Sequence, residues 1–212
     1  VIDIAIGLVL VIVTAPLVIV LAITMSIALR SSPLFVQDRI GKDGKTFRFI
    51  KLRTLPPDTP AYIAKYAVKS MSIPAICRYV RRLHLDELPQ LWHVVTGTMS
   101  LVGPRPEMPF LHGRFDDDFA RQRMSVRPGC TGLWQISDRC ESLIHEHPEY
   151  DRIYLRNQSV RFDAWILSRT LRLMSPFGRH ELVSIGDIPA WTSMPLAPVR
   201  TVETPQLQPA ET

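Results

Sequence analysis

His84-Leu85-Asp86-Glu87-Leu88-Pro89-Gln90-Leu91-Trp92 is the stretch on which the reading of this chain turns. Leu85, Leu88, Leu91 and Trp92 recur at helical spacing, so one side of the segment faces a core. Pro89 lacks a backbone donor and suits a first turn, which puts the helix start near Asp86 and its end near Val95. Two adjacent carboxylates then stand at the mouth of a helix, where the positive end of the dipole keeps Asp86 ionised at neutral pH. Taken alone, the nine residues fit an acidic N-cap with no further role. Their surroundings decide.

Downstream, Met99-Ser100-Leu101-Val102-Gly103-Pro104-Arg105-Pro106-Glu107 sets an arginine between two prolines. The prolines fix the local backbone, and a guanidinium in a rigid frame suits bidentate binding of phosphate or carboxylate; a structural salt bridge is the alternative. Arg127-Pro128-Gly129-Cys130-Thr131-Gly132 is a second basic turn, whose glycines permit backbone donors to approach an anion. There is no Walker or Rossmann glycine pattern. Asp116-Asp117-Asp118 reads as a solvated helix start, and His145-Glu146-His147 as surface in preference to metal ligands. Residues 150–174 interleave Tyr150, Tyr154, Trp165 and Leu171 with Arg152, Arg156, Arg161 and Arg169. That pattern fits an amphipathic interfacial helix and, equally, a core-facing one. From 176 to 212 the chain is rich in Pro and Thr and is expected to be a disordered tail.

Upstream, Pro33 to Arg39 and Thr46 to Arg53 alternate apolar with polar residues about Gly41-Lys42-Asp43-Gly44, which reads as a β-hairpin. Gln37, Arg39, Lys51 and Arg53 make its basic rim, either a phosphate site or a solvated strand face. Residues 61–83 look helical, interrupted near Pro74. Residues 4–29 carry no charge; at ~1.5 Å per residue they reach about 39 Å, beyond the ~30 Å hydrocarbon core. That is too long for the apolar region of a signal peptide. Pro16 interrupts the middle, giving a tilted span or a hairpin that enters and leaves on one face, and the residue pattern favours the span. Arg30 and the basic residues after it place the bulk of the chain in the cytoplasm. Val1 in place of an initiator Met leads to the expectation of further residues upstream.

The balance of 25 basic against 20 acidic residues, +5 net, suits an anionic membrane, phosphorylated substrates or nucleic acid. No recognition-helix or RNA-binding signature supports nucleic acid. Three cysteines without metal spacing fit reduced thiols facing the cytosol.

Together these pieces resemble the bacterial sugar transferase family, the monotopic polyprenyl-phosphate phosphoglycosyl transferases. The resemblance rests on Gln37-x-Arg39-x-Gly41, Lys51-Leu52-Arg53-Thr54, Arg81 followed by Leu85 to Gln90, Met99 to Glu107, Arg127-Pro128-Gly129-x-Thr131-Gly132 and Asp163. It implies an α+β fold, mainly helical with a small β-hairpin. A kinked re-entrant membrane helix at 1–30, pivoting at Pro16, precedes a catalytic domain at 31–175 with amphipathic interfacial helices. The implied reaction moves a sugar 1-phosphate from a UDP-sugar to a polyprenyl phosphate at the cytoplasmic face of the bacterial inner membrane, releasing UMP. Asp86 would be the nucleophile through a phosphosugar-aspartyl intermediate, and Glu87 its assistant. Mg2+ would be the cofactor, held by Asp86 and Glu87. Arg105, Lys51, Arg81, Glu107, Arg127 and Asp163 would serve the substrates, and downstream glycosyltransferases would be partners. Ala15, His84 and His93 stand where the family commonly has Ser, Ser or Thr, and Asn. The competing expectation is a non-catalytic membrane-anchored module that binds anionic lipid or a partner glycosyltransferase.

Overall fold

The computed structural model describes residues 2–60, 71–113, 115–175 and 181–192. An uninterrupted apolar run gives helix α1, Ile2–Leu29, continuous through Pro16. It is long and apolar enough to cross a membrane, and most of its large side chains are exposed. One line along it is covered. Gly7, Leu21 and Met25 are buried. Asp3 accepts a hydrogen bond from Ser100 Oγ, and Met25 packs with Leu52, Cys77 and Val80. A Cβ on Gly7 would lie 2.9 Å from Val94 Cγ1, so its absence lets α1 meet the segment around Val94 closely. The helix lies along the rest of the molecule from its first turns to its last.

The expected hairpin is present: β1, Leu34–Ile40, pairs antiparallel with β2, Thr46–Leu52. Its basic face is not a solvated rim. Gln37 and Arg39 are buried, and the Arg39 guanidinium donates to Pro106 O at 3.0 Å and Gln37 Oε1 at 2.8 Å. Both terminal nitrogens of Arg39 are therefore engaged by the protein's own oxygens. Helix α2, Ala75–Arg82, follows; residues 61–70, expected to be helical, lie outside the described residues.

Asp86 to Val95 is not one α-helix. His84 enters in the left-handed region (φ 54), a 3-10 segment runs Leu85–Gln90, and only then does α3 begin, Leu91–Val95. Pro89 has no N–H to return to the Leu85 carbonyl, which removes the α-helical bond that the first turn needs.

Two three-residue strands, β3 (Ser100–Val102) and β4 (Gly129–Thr131), form a parallel pair that sequence periodicity is too short to announce. Its glycines correct the expectation of an anion cradle. Gly129 N donates to Pro104 O at 2.9 Å, and Gly103 N to Thr131 O at 2.9 Å. A Cβ on Gly129 would fall 2.1 Å from Gly103 N, and one on Gly132 2.1 Å from Gly103 O. The glycines serve contact between two chain segments.

Helix α4 spans Pro109–His112 and α5 spans Asp117–Met124, the latter capped as expected by Asp116, which accepts from Phe119 N at 2.8 Å. The basic-aromatic stretch forms two helices, α6 (Pro148–Arg156) and α7 (Val160–Met174). Tyr150, Ile153, Tyr154, Phe162 and Ile166 join the main core, which is the core-facing reading for these positions. Within the expected tail, residues 181–192 also pack on the domain. Val183 bridges to Ser137, Val183 and Ile188 are buried, and Trp191 lies edge-on to Phe162 beneath Arg161. Residues 176–180 and 193–212 lie outside the described residues.

Candidate active site

The 3-10 segment sets the acidic pair against β2, α2 and α1. Asp86 is 5% exposed. Burial, reinforced by repulsion from Glu87, pushes its carboxyl up to about 6, against the pull of Lys51 and Arg81. This reverses the direction expected from a helix dipole, because a short 3-10 turn has little dipole to offer and the surroundings are dry. Glu87 behaves oppositely. Burial alone would raise it, but Arg105, His84 and Lys51 together hold it down to about 2. Arg105 Nη2 donates to Glu87 Oε1 at 3.2 Å. Two neighbouring carboxylates with diverging proton affinities are a common feature of reaction centres.

Cations surround the pair. Burial pushes the Lys51 ammonium below its ordinary value while Asp86 and Glu87 pull it back up. Arg81 donates to the buried Thr54 hydroxyl at 3.1 Å and lies within electrostatic reach of Asp86. Glu107 is buried beside Arg105, and one of its oxygens accepts from the following amide, Met108 N, at 2.9 Å. The expected residues Asp86, Glu87, Lys51, Arg81, Arg105 and Glu107 thus form one cluster.

Two expected residues lie elsewhere. Arg127 is exposed, with its guanidinium beside Gly97. Asp163 accepts from Tyr154 OH at 3.1 Å, and burial pushes its carboxyl upward, with Asp3 adding repulsion. It belongs to a second polar group with Asp3, Ser100 and Tyr154. Asp3 is therefore a tether for α1.

Sequence reasoning passed over four residues. Thr54 anchors Arg81, and His84 adds positive potential near Glu87. Arg123 and Asp151 form a buried ion pair at 2.8 Å. Thr54 and His84 stand within quoted stretches with no role assigned to them, and a separation of 28 residues leaves the Arg123–Asp151 pair no local signature.

Asp86 and Glu87 offer two hard oxygen donors, and the repulsion that raises Asp86 is what a divalent cation would relieve. No third His, Cys, Asp or Glu joins them among the described residues. Mg2+ keeps several waters and takes few protein ligands, so the donor set fits it.

The profile described as Bacterial sugar transferase matches residues 1–175. A UDP-N-acetylgalactosamine-undecaprenyl-phosphate N-acetylgalactosaminephosphotransferase of Aeromonas hydrophila is 32% identical over 77% of this chain and 40% of its own length. A UDP-galactose-lipid carrier transferase of Erwinia amylovora is 33% identical over 66% of this chain and 32% of its own. An undecaprenyl-phosphate glucose phosphotransferase of Komagataeibacter xylinus is 32% identical over 86% of this chain and 35% of its own. The chain thus spans well under half the length of these relatives. With the profile covering the apolar helix α1, the hairpin and the acidic cluster alike, the chain belongs to the bacterial sugar transferase family.

Proposed function

We propose that the protein transfers a sugar 1-phosphate from a UDP-sugar to a polyprenyl phosphate at the cytoplasmic face of the bacterial inner membrane. The observation that carries this reading is the buried Asp86, ringed by Lys51, Arg81 and the Glu87–Arg105 pair. The three relatives named above carry different sugars, and two of their names specify undecaprenyl phosphate as acceptor. They support the reaction type and leave the sugar open.

The ionised Asp86 oxygen attacks the sugar-linked phosphorus. The bond from that phosphorus to the bridging oxygen breaks, and UMP leaves with the electron pair, giving a phosphosugar-aspartyl acyl phosphate. An oxygen of the lipid phosphate then attacks the same phosphorus, the phosphorus–aspartyl oxygen bond breaks, and Asp86 returns as carboxylate. Lys51 and Arg81 offset negative charge around the transferring group, and Arg105 takes the nucleotide-sugar while holding Glu87 ionised. Asp86 and Glu87 would hold Mg2+, which when bound neutralises phosphoryl oxygens.

The acceptor is a lipid, so the site must sit at the membrane surface. Helix α1 touches the domain at Asp3 and again at Met25, about 33 Å apart along its axis. Contact at both ends supports a helix held on one side of the bilayer with its exposed face in lipid over a plain span.

UMP release from UDP-sugars, measured with and without polyprenyl phosphate, tests the reading. Wild type should release UMP in a lipid-dependent manner and Asp86→Asn should not. No release with any of UDP-glucose, UDP-galactose or their N-acetylated forms would leave a lipid-binding module as the account.

A further inference from the structure

Four successive carbonyls of the Pro104–Glu107 segment each accept a hydrogen bond, two from β1, one from β4 and one from α5. Gly129 N donates to Pro104 O at 2.9 Å, and Ile40 N to Glu107 O at 2.9 Å. Arg39 donates to Pro106 O at 3.0 Å. At the centre, Arg123 Nη2 donates to Arg105 O at 2.9 Å. The last donor, like Arg39, is a buried guanidinium, and it is ion-paired to a buried carboxylate. It is only 6% exposed, its Nε donates to Asp151 Oδ2 at 2.8 Å, and its partner is 2% exposed.

Stability alone does not require such a pair. Desolvating two charges offsets most of their attraction, and apolar residues of similar volume commonly serve as well or better. What apolar residues cannot do is grip a carbonyl. Arg123 reaches from α5 to Asp151 on α6 with one nitrogen and to the Arg105 carbonyl with another, and its guanidinium carbon lies 4.4 Å from the centre of the Phe115 ring. The fork is fixed on two sides and stacked on a third contact. Displacing it frees the backbone of Arg105, whose guanidinium donates to Glu87.

We propose that the buried Arg123–Asp151 pair is a positioning element that fixes the Arg105 backbone, and through it the guanidinium that pairs with Glu87. The inference rests on the proposed phosphosugar transfer. Neither member of the pair touches substrate; both act through Arg105.

The test is a double-mutant cycle between Arg105→Ala and the combined change Arg123→Met with Asp151→Leu, which refills the space without charge. The combined variant should unfold cooperatively near the wild-type temperature. Its kcat/KM for the UDP-sugar should fall about tenfold, as misplacement of a binding group by a fraction of an ångström does, with the KM for polyprenyl phosphate unchanged. In the Arg105→Ala background the same change should cost nothing further. Equal losses in both backgrounds, or full activity in the folded variant, would overturn the inference while leaving the transfer reaction intact. If the apolar variant does not fold, Arg123→Lys enters the same cycle: it keeps the charge facing Asp151 and lacks the second nitrogen. Wild type that releases no UMP would instead sink the underlying reading and the inference with it.

Discussion

At the scale of single residues, Asp86 sits in an uncomfortable place. Its carboxyl is raised to about 6 from an ordinary 3.8, so above pH 6 folding forces a charge into a dry, repulsive place. That cost disappears as pH falls from about 6 toward 3.8 and the folded chain keeps its proton. Asp86→Asn, measured in EDTA, should therefore melt higher than wild type at pH 8, with the gap closing toward pH 4, while UMP release is lost. Millimolar Mg2+ should raise the melting temperature of wild type and leave that of Asp86→Asn unmoved, since a ligand stabilises only the state that binds it. His93 shows the opposite titration. Its Nε2 accepts from Ile50 N at 3.3 Å and burial depresses its proton affinity. The unfolded chain takes up a proton near pH ~6.5 while the folded ring resists, so stability present above that pH is lost below it. Wild type should lose more thermal stability than His93→Gln between pH 7 and pH 5. That Asp86, Glu87, Lys51, Arg81 and Arg105 come together was expected from the family resemblance, whose short motifs name each of them. The direction of Asp86's shift was not, because it depends on burial by α1, α2 and β2, which no local pattern encodes.

At the scale of elements, the hairpin was legible because strand alternation and the Gly41–Gly44 turn are local signals. The β3–β4 pair was hidden, since its partners are three residues long and distant in sequence. Its constraint can be tested by size. Gly132→Ala puts a methyl carbon 2.1 Å from the Gly103 carbonyl oxygen, and backbone on both sides cannot yield cheaply. It should destabilise the protein by about 3 kcal/mol in chemical denaturation, the upper range for overpacking. Gly113→Ala, where a Cβ meets nothing within 4 Å, should be close to neutral. The packed segment at 181–192 escaped notice for another reason: Val183, Ile188 and Trp191 are scattered among tail-like residues, and averaging over composition conceals isolated anchors.

At the scale of the whole molecule, one apolar helix, a two-strand hairpin and a buried charge cluster pack together, with α1 lying against both the 3-10 segment that carries Asp86 and β2; the proposed function puts the exposed face of α1 in lipid. The membrane pose has its own check. With the three native cysteines replaced, single cysteines at Ile2 and Arg30 should both label from the cytoplasmic side in intact cells, and labelling of position 2 from outside alone would restore the span. The central claim is the covalent use of Asp86. Purified protein mixed with a UDP-sugar substrate and no lipid acceptor, quenched within a single turnover, should gain the mass of one sugar phosphate on the peptide that contains Asp86. Unmodified protein in the presence of released UMP would contradict it.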